Sequence, residues 1–477
     1  DPGFPPFIPA STTPAVHLPF KPAANFTLGN LQRIWKDIEE ESQQGQLNLK
    51  FPFKQWSDSE GYFKTGLFLD KTERTFNQDT FSNFNDNTAQ FQGEFEQFWS
   101  ERFPVFEDHP ITDGPPFVDV DYDGEQEIFA YYGMADLPIT PWLNVIGGAR
   151  FESTDLTIIN DPEDNAVWFP PGTNFPAQLG PGDADVDYSQ DDILPSIGLV
   201  VKPIDKVTLR ASYAETIARQ TFKELTPIQQ QEFLGGDVFI GNPDLRMSAV
   251  KNYDFRVDYT PYEGGLLSGS YFYKDIDDPI EYVQRVGTFT FTTPENFPTG
   301  ELSGFEIEAR QEMGSVWDRM KGLTLGANAT FIDSEVTLSD AESAQFELPN
   351  ILAPQTTRDM TNAPEYLYNL FMTYELEQTG TQFAIFYTVQ GDTLLAGAGT
   401  SDGNFVPDVY GLEYGTLNLT IGQKLGKHFK LQFQVKNLTN PRIEEVYRSR
   451  YIGDDVTKTS YTKGIEYSIG LSAEFTF

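Results

Sequence analysis

The sequence predicts an all-β protein, a transmembrane antiparallel β-barrel to which this chain contributes about fifteen strands. Three observations point there. The chain closes on "KGIEYSIGLSAEFTF", where Ile465, Tyr467, Ile469, Leu471, Ala473, Phe475 and Phe477 alternate with polar or tiny residues. A period of two belongs to a β-strand, and this run is more than twice the ~5–6 residues of a mean soluble strand. The same alternation recurs at least ten more times. Finally, short polar turns ("KPID" at 202–205, "PYEGG" at 261–265, "EQTG" at 377–380, "LGKH" at 425–428) alternate with long segments near 78–123, 161–190, 223–249, 284–299, 337–363, 395–413 and 441–459. Membrane barrels have this asymmetry, with tight turns on one side and extended loops on the other.

Taken in order, Leu47, Leu49, Phe51 and Phe53 mark a strand near 45–54, and Phe63, Thr65, Leu67 and Leu69 one near 61–77. Strands near 124–139 and 141–160 follow, the second carrying Leu143, Val145, Gly147, Ala149 and Phe151. Ile197, Leu199 and Val201 mark 191–204; Val207, Leu209, Ala211 and Tyr213 mark 206–222; Tyr253, Phe255, Val257 and Tyr259 mark 250–262. Next come 266–283, 300–313 (Phe305, Ile307, Ala309), 323–336 (Leu323, Leu325, Ala327, Ala329, Phe331) and 364–377. The last four lie near 381–394, 414–426, 430–440 and 460–477. Opposite the apolar stripe stand Arg150, Arg210, Arg256, Glu306, Glu308, Arg310, Asn328 and Lys436. A packed soluble core does not accept such groups unpaired, whereas a wet lumen does.

Composition narrows the function. The chain has 477 residues, 40 Phe, 22 Tyr, no Cys and a net charge of −38, with mean hydropathy −0.39. No run approaches the ~18 apolar residues of a membrane helix, which leaves strands as the means of crossing. Without Cys there are no disulfides, thiolate metal sites or cysteine nucleophiles. The charge argues against nucleic acid, whose phosphates would be repelled. A salty habitat or long acidic loops account for it. "DPGFPPFIPA" is not a signal peptide.

Parity raises a difficulty, because single-chain bacterial barrels have an even number of strands and fifteen is odd. Residues 1–22 are Pro-rich, and "NLQRIWKDIEEE" sets Leu31, Ile34, Trp35 and Ile38 on one helical face behind Asn30. The expectation is therefore an extracellular loop segment with a short helix at 1–44, and barrel strands with long external loops at 45–477.

The stretch "ASYAETIARQTFKELTP" at 211–227, followed by "GNPDLRMSAVKNYDFRVDYTPYEGGLLSGSYFYKDIDDPIEYV" at 241–283, resembles the barrel of TonB-dependent outer-membrane receptors, particularly the type common in Caulobacter and Xanthomonas relatives. "DDILPSIGLVVKP" at 191–203, "NAPEYLYNLFMTYE" at 362–375, "VKNLTNPR" at 435–442 and the Phe-terminated last strand extend the likeness over most of 124–477. Gln220 departs from it, standing where such receptors usually carry Pro. The resemblance implies a Gram-negative outer-membrane location and a 22-stranded barrel closed by an N-terminal plug, with this chain supplying strands 8 to 22. No segment here looks like the plug or its energy-coupling box. The expected partners are the plug and first seven strands on a separate or unrecorded chain, a TonB–ExbB–ExbD energy complex, outer-membrane lipid and a surface lipoprotein.

Enzyme chemistry finds no support, since His17, His109 and His428 are widely spaced and no nucleophile elbow exists. No cofactor is expected, with calcium in acidic loops as the exception to test. "DVDYDGE" places Asp119, Asp121 and Asp123 like the first half of a calcium loop, but Ala130 occupies the twelfth position, where a bidentate Glu is needed. Asp183, Asp185 and Asp187 form a second acidic run. Phe91, Phe95, Phe98 and Trp99 have helical spacing. Phe103, Phe106, Trp168, Phe169 and Phe175 are less periodic and are candidates for stacking on a sugar or apolar solute. The lumenal Arg210 and Arg256 either touch an anionic solute or pair with wall carboxylates. The expected function is active import of a scarce solute, an oligosaccharide before a siderophore. A passive porin or fatty-acid channel and an adhesive surface barrel are the alternatives.

Overall fold

A computed structural model describes residues 32–473 except 55–58, 83–111, 114–119, 164–165, 174, 231–236, 288, 350, 352 and 402–403. Its main feature is one antiparallel wall of fifteen long strands. They are β1 Gln32–Lys54, β2 Glu60–Ser82, β3 Val120–Thr140, β4 Leu143–Pro162, β5 Val186–Ile204, β6 Val207–Ala218, β7 Ser248–Tyr259 and β8 Gly265–Asp277. The series continues with β9 Thr299–Glu312, β10 Leu323–Thr337, β11 Tyr366–Leu376, β12 Thr381–Gln390, β13 Tyr414–Leu425, β14 Phe429–Lys436 and β15 Glu466–Ala473. Each pairs antiparallel with the next, as the alternation predicts. Among the described residues, β1 pairs only with β2 and β15 only with β14 within the wall, so the sheet has two free edges.

Register puts the apolar residues in rows. Leu47, Leu67, Tyr131, Phe151 and Ile193 face one another across successive strands. Farther along, Leu199, Ala211, Phe255, Tyr271, Phe305, Phe331 and Tyr366 do the same. Cross-strand aromatic contacts such as Tyr131–Phe151 and Tyr271–Phe305, both with centroids 5.0 Å apart, stabilise such a face by ~0.2–1 kcal/mol per pair. Most of these side chains are uncovered by protein, Phe305 at 60 % and Ile193 at 71 %, which is tolerable against lipid and not against water. At the short-turn end Trp142, Tyr262 and Trp317 are half exposed, at the level where amphipathic rings sit at a membrane interface.

Three expectations are corrected. Of the helix foreseen at residues 30–41, the described part, 32–41, is instead the beginning of β1, where Ile34 and Ile38 lie opposite Thr80 and Phe76 of β2. Ile34 and Ile38 satisfy the strand period as well as the helical one, and a ladder to β2 supplies hydrogen bonds that a helix of about twelve residues forms only marginally alone. The strand foreseen at 266–283 ends at Asp277, because Asp278 turns into the left-handed region (φ 54°) and Pro279 offers no N–H to the ladder. The final strand is shorter at its start than foreseen, since residues 456–461 form a separate loop strand and Gly464 (φ 79°) turns the chain into β15.

Strands β1 to β5 have 19 to 23 residues, about twice the ~9–11 that cross a bilayer. Their upper halves therefore stand outside it. There the inward residues Phe76, Tyr122, Leu156, Ile158 and Val186 are buried against Leu179, Phe222, Leu225 and Leu245 from the loops. A second core joins Ile276 of β8 and Val336 of β10 to Val283, Phe297, Phe346 and Met360. The loops thus fold onto the lumenal side of the wall. Two four-stranded sheets built from loop segments, one from 229–230, 239–240, 280–286 and 290–296 and the other from 393–396, 408–411, 443–448 and 456–461, complete this cap.

Candidate functional site

The lumen and the loop cap together form the candidate site. On the inner wall, Arg210 of β6 and Arg256 of β7 are direct cross-strand partners. Two like charges so placed repel, and carboxylates resolve the conflict. Arg256 donates Nε to Asp258 Oδ1 at 2.7 Å and Nη2 to Glu308 Oε2 at 3.0 Å. Arg210 pairs with the other Asp258 oxygen. Both arginines are therefore engaged in a wall ladder. Higher up, the buried Glu152 accepts from Arg150 Nε at 2.6 Å and pairs with Arg219, which also donates Nε to Thr154 Oγ1 at 3.3 Å.

The loop departure at Gln220 acquires a structural role. Its side chain is buried and donates Nε2 to the Leu245 carbonyl at 2.6 Å, which closes the 219–247 loop. The next residues form a capping box, Thr221 with Glu224, that starts a short helix at Phe222–Leu225. Phe222 seats over Gly124, where a Cβ would overlap the ring.

The three described aromatic candidates sit in different surroundings. Trp168 packs on the first core, Phe169 is buried against Phe291 (4.7 Å) and Phe289 (5.5 Å), and Phe175 is 68 % exposed. Phe103, Phe106 and Asp119 lie outside the described residues, as does the run Phe91, Phe95, Phe98 and Trp99. The calcium pattern is not a loop here. Asp121 and Asp123 stand on one face of β3, and their oxygens accept from Gln78 N (2.9 Å) and Thr75 Oγ1 (2.9 Å) of β2. Asp183 and Asp185 likewise accept from Gly180 N and Asn160 N, both at 2.8 Å. Among the described residues no three acidic or His side chains are grouped to hold a metal.

Sequence reasoning missed a buried charge cluster in the cap. Arg285 donates Nε to Glu295 Oε1 at 2.8 Å, and Glu342 lies 3.8 Å from both Arg285 and Arg358. The Arg358 guanidinium lies 4.5 Å from the Phe297 ring centroid, and a Cβ on Gly397 would overlap it. Glu281 accepts from Thr361 N at 2.7 Å, and Asp408 from Ala398 N at 2.7 Å. Burial pushes Glu281 up to about 7 and raises Glu342 and Asp408 as well. Nothing in the local sequence marks these residues, since their partners are brought by different loops. Beside them a cleft of about 400 Å3 is lined by Thr357, Arg358, Asp359, Asp408, Tyr410 and Arg448, among others.

Comparison with known proteins accords with this geometry. The family model described as "TonB dependent receptor-like, beta-barrel" matches residues 9–438. Among solved structures, the ferric yersiniabactin uptake receptor FyuA from Yersinia pestis has 13 % identity and a TM-score of 0.55, covering 93 % of this chain and 56 % of its own. The siderophore receptor PiuA from Acinetobacter baumannii has 14 % identity and a TM-score of 0.52, covering 92 % and 55 %. The copper transporter OprC has 12 % identity and a TM-score of 0.55, covering 92 % and 58 %. At such identities the likeness is one of fold, and this chain spans little more than half the length of those structures. No curated protein matches it in sequence. Fifteen antiparallel wall strands, a polar inner face and the match over most of the sequence lead to one assignment: the chain belongs to the TonB-dependent receptor β-barrel family of the outer membrane.

Proposed function

We propose that this chain is the wall and loop cap of an active importer that takes up a scarce solute across the outer membrane. The observation that carries the reading is the open sheet. Strands β1 and β15 both run from the loop end to the turn end, so joining them directly, or to a second copy in the same orientation, makes a parallel pair. Unpaired edges in lipid cost several kcal/mol per orphan group. An odd number of further strands closes the ring antiparallel, and the family's arrangement supplies seven, with a plug, on polypeptide outside these residues. This reading disfavours a passive channel sealed by the described strands alone. A TonB–ExbB–ExbD complex then drives the plug, and a surface lipoprotein is a candidate lid.

For the solute, an oligosaccharide accords with the −38 charge, which would repel anionic ferric siderophores. The siderophore reading rests on neighbours such as FyuA, a ferric yersiniabactin uptake receptor, and PiuA, a siderophore receptor. Isolation of the native complex with mass spectrometry tests the architecture, and a co-purifying plug-bearing polypeptide is expected. Growth of a deletion strain on oligosaccharides, against iron-limited growth on ferric siderophores, separates the solutes. A defect confined to iron limitation overturns the first reading.

A further inference from the structure

We propose that the buried Arg358 cluster is a proton-operated latch holding the loops 278–298, 338–365 and 391–413 together as one cap on the lumenal side of the wall. The inference is independent of which solute is carried. Each loop contributes to the cluster: Glu281, Arg285 and Glu295 come from the first, Glu342 and Arg358 from the second, Asp408 and the Gly397 backbone from the third. Backbone bonds follow the same seam, with Gly397 N donating to Tyr282 O at 2.8 Å and Gln284 N to Gly397 O at 2.9 Å. Gln284 Nε2 also reaches Pro407 O at 2.7 Å, and Thr400 Oγ1 reaches Gln345 Oε1 at 2.8 Å.

Charge balance makes the latch sensitive to protons. Within the seam two guanidinium groups, Arg285 and Arg358, face four carboxyl groups, Glu281, Glu295, Glu342 and Asp408. Asp359 adds a fifth carboxylate toward Asp408. Glu295 takes Arg285 in a two-pronged pair, and Glu342 shares both cations at 3.8 Å. All three nitrogens of Arg358 and Oε1 of Glu342 are buried without a hydrogen bond. Glu281 faces Arg358 and stands opposite Glu295 in register, and it accepts from the Thr361 N–H and hydroxyl. A carboxyl group in this setting keeps its proton, because an unmatched buried anion is costly.

The sign follows from linkage. The closed cap binds a proton at Glu281 that the opened, solvated loop releases at the ordinary Glu value. Closure is therefore favoured at low pH and weakens as pH rises through about 7. With an open-state pKa of about 4.5, the opening constant rises about tenfold between pH 6 and 8 and levels off above that.

The test is hydrogen exchange with mass spectrometry on the full-length protein in lipid nanodiscs. Rates are corrected for intrinsic exchange, and wall strands β6 to β9 serve as the reference. Protection of residues 280–286 and 393–411 is expected to fall about tenfold from pH 6 to pH 8, and Glu281→Gln is expected to lessen that slope, with Glu342 and Asp408 carrying what is left. Flat protection in the natural protein, or an unchanged slope in a folded Glu281→Gln variant, overturns the latch. If the variant does not assemble, the natural protein's profile decides alone, and a midpoint away from neutrality refutes the assignment to Glu281.

Discussion

Replacing Asp258 with Asn tests the lumenal ladder most directly, since one carboxylate separates two arginines that register sets opposite each other. The Asp258 side chain is only 12 % exposed, whereas Arg256 and Arg210 are 34 % and 49 % exposed. The site thus falls between a surface pair, worth under about 1 kcal/mol, and a buried one, where removing a partner costs ~3–5 kcal/mol. Two cations ~6 Å apart at an effective dielectric of ~20 repel by about 3 kcal/mol, and Glu308 still engages Arg256 at 3.0 Å. We expect Asp258→Asn to cost about 2 kcal/mol in reversible urea unfolding from lipid vesicles. Arg210→Met alone should cost under about 1 kcal/mol. The double variant should recover at least about 1 kcal/mol relative to the sum of the singles, because the repulsion is gone. Strict additivity would refute the ladder and return Arg210 to the pool of solute contacts.

Other expectations follow from the same coordinates. Phe346→Ala, at a site 1 % exposed in the second core, should cost about 3–5 kcal/mol, confined to the cap. Limited proteolysis should then cut within 338–413 while the wall keeps its heat-resistant migration, and unchanged cutting would argue against a separate cap unit. Ile197→Arg, 51 % exposed on the outer face, should destabilise by ~2–4 kcal/mol if it meets the membrane midplane, whereas Ser196→Arg on the inner face should cost little; equal effects would undo the assignment of faces. Gln220→Ala leaves the Leu245 carbonyl without its 2.6 Å donor and should cost about 1–2 kcal/mol, read as faster exchange in residues 219–230 alone.

The local sequence by itself determined the wall. Lipid outside and water inside force apolar and polar side chains to alternate along every crossing strand, and that constraint can be read in windows of a few residues such as 305–309 or 465–477. It also placed Arg210, Arg256 and Glu308 on the wet face. Which of them pair was decided only by register, because a strand does not carry the offset of its neighbour. The first half of β1 was misread for a related reason: residues spaced four apart fit both periods, and the ladder to β2 chose between them. The cap was the least legible part. Its seam joins residues as far apart as Gln284 and Pro407, and contacts at such separation leave no periodic imprint. Only the folded arrangement of three loops put Arg358, Glu342 and Glu281 in one dry interior, where burial gives ordinary side chains unusual proton affinity.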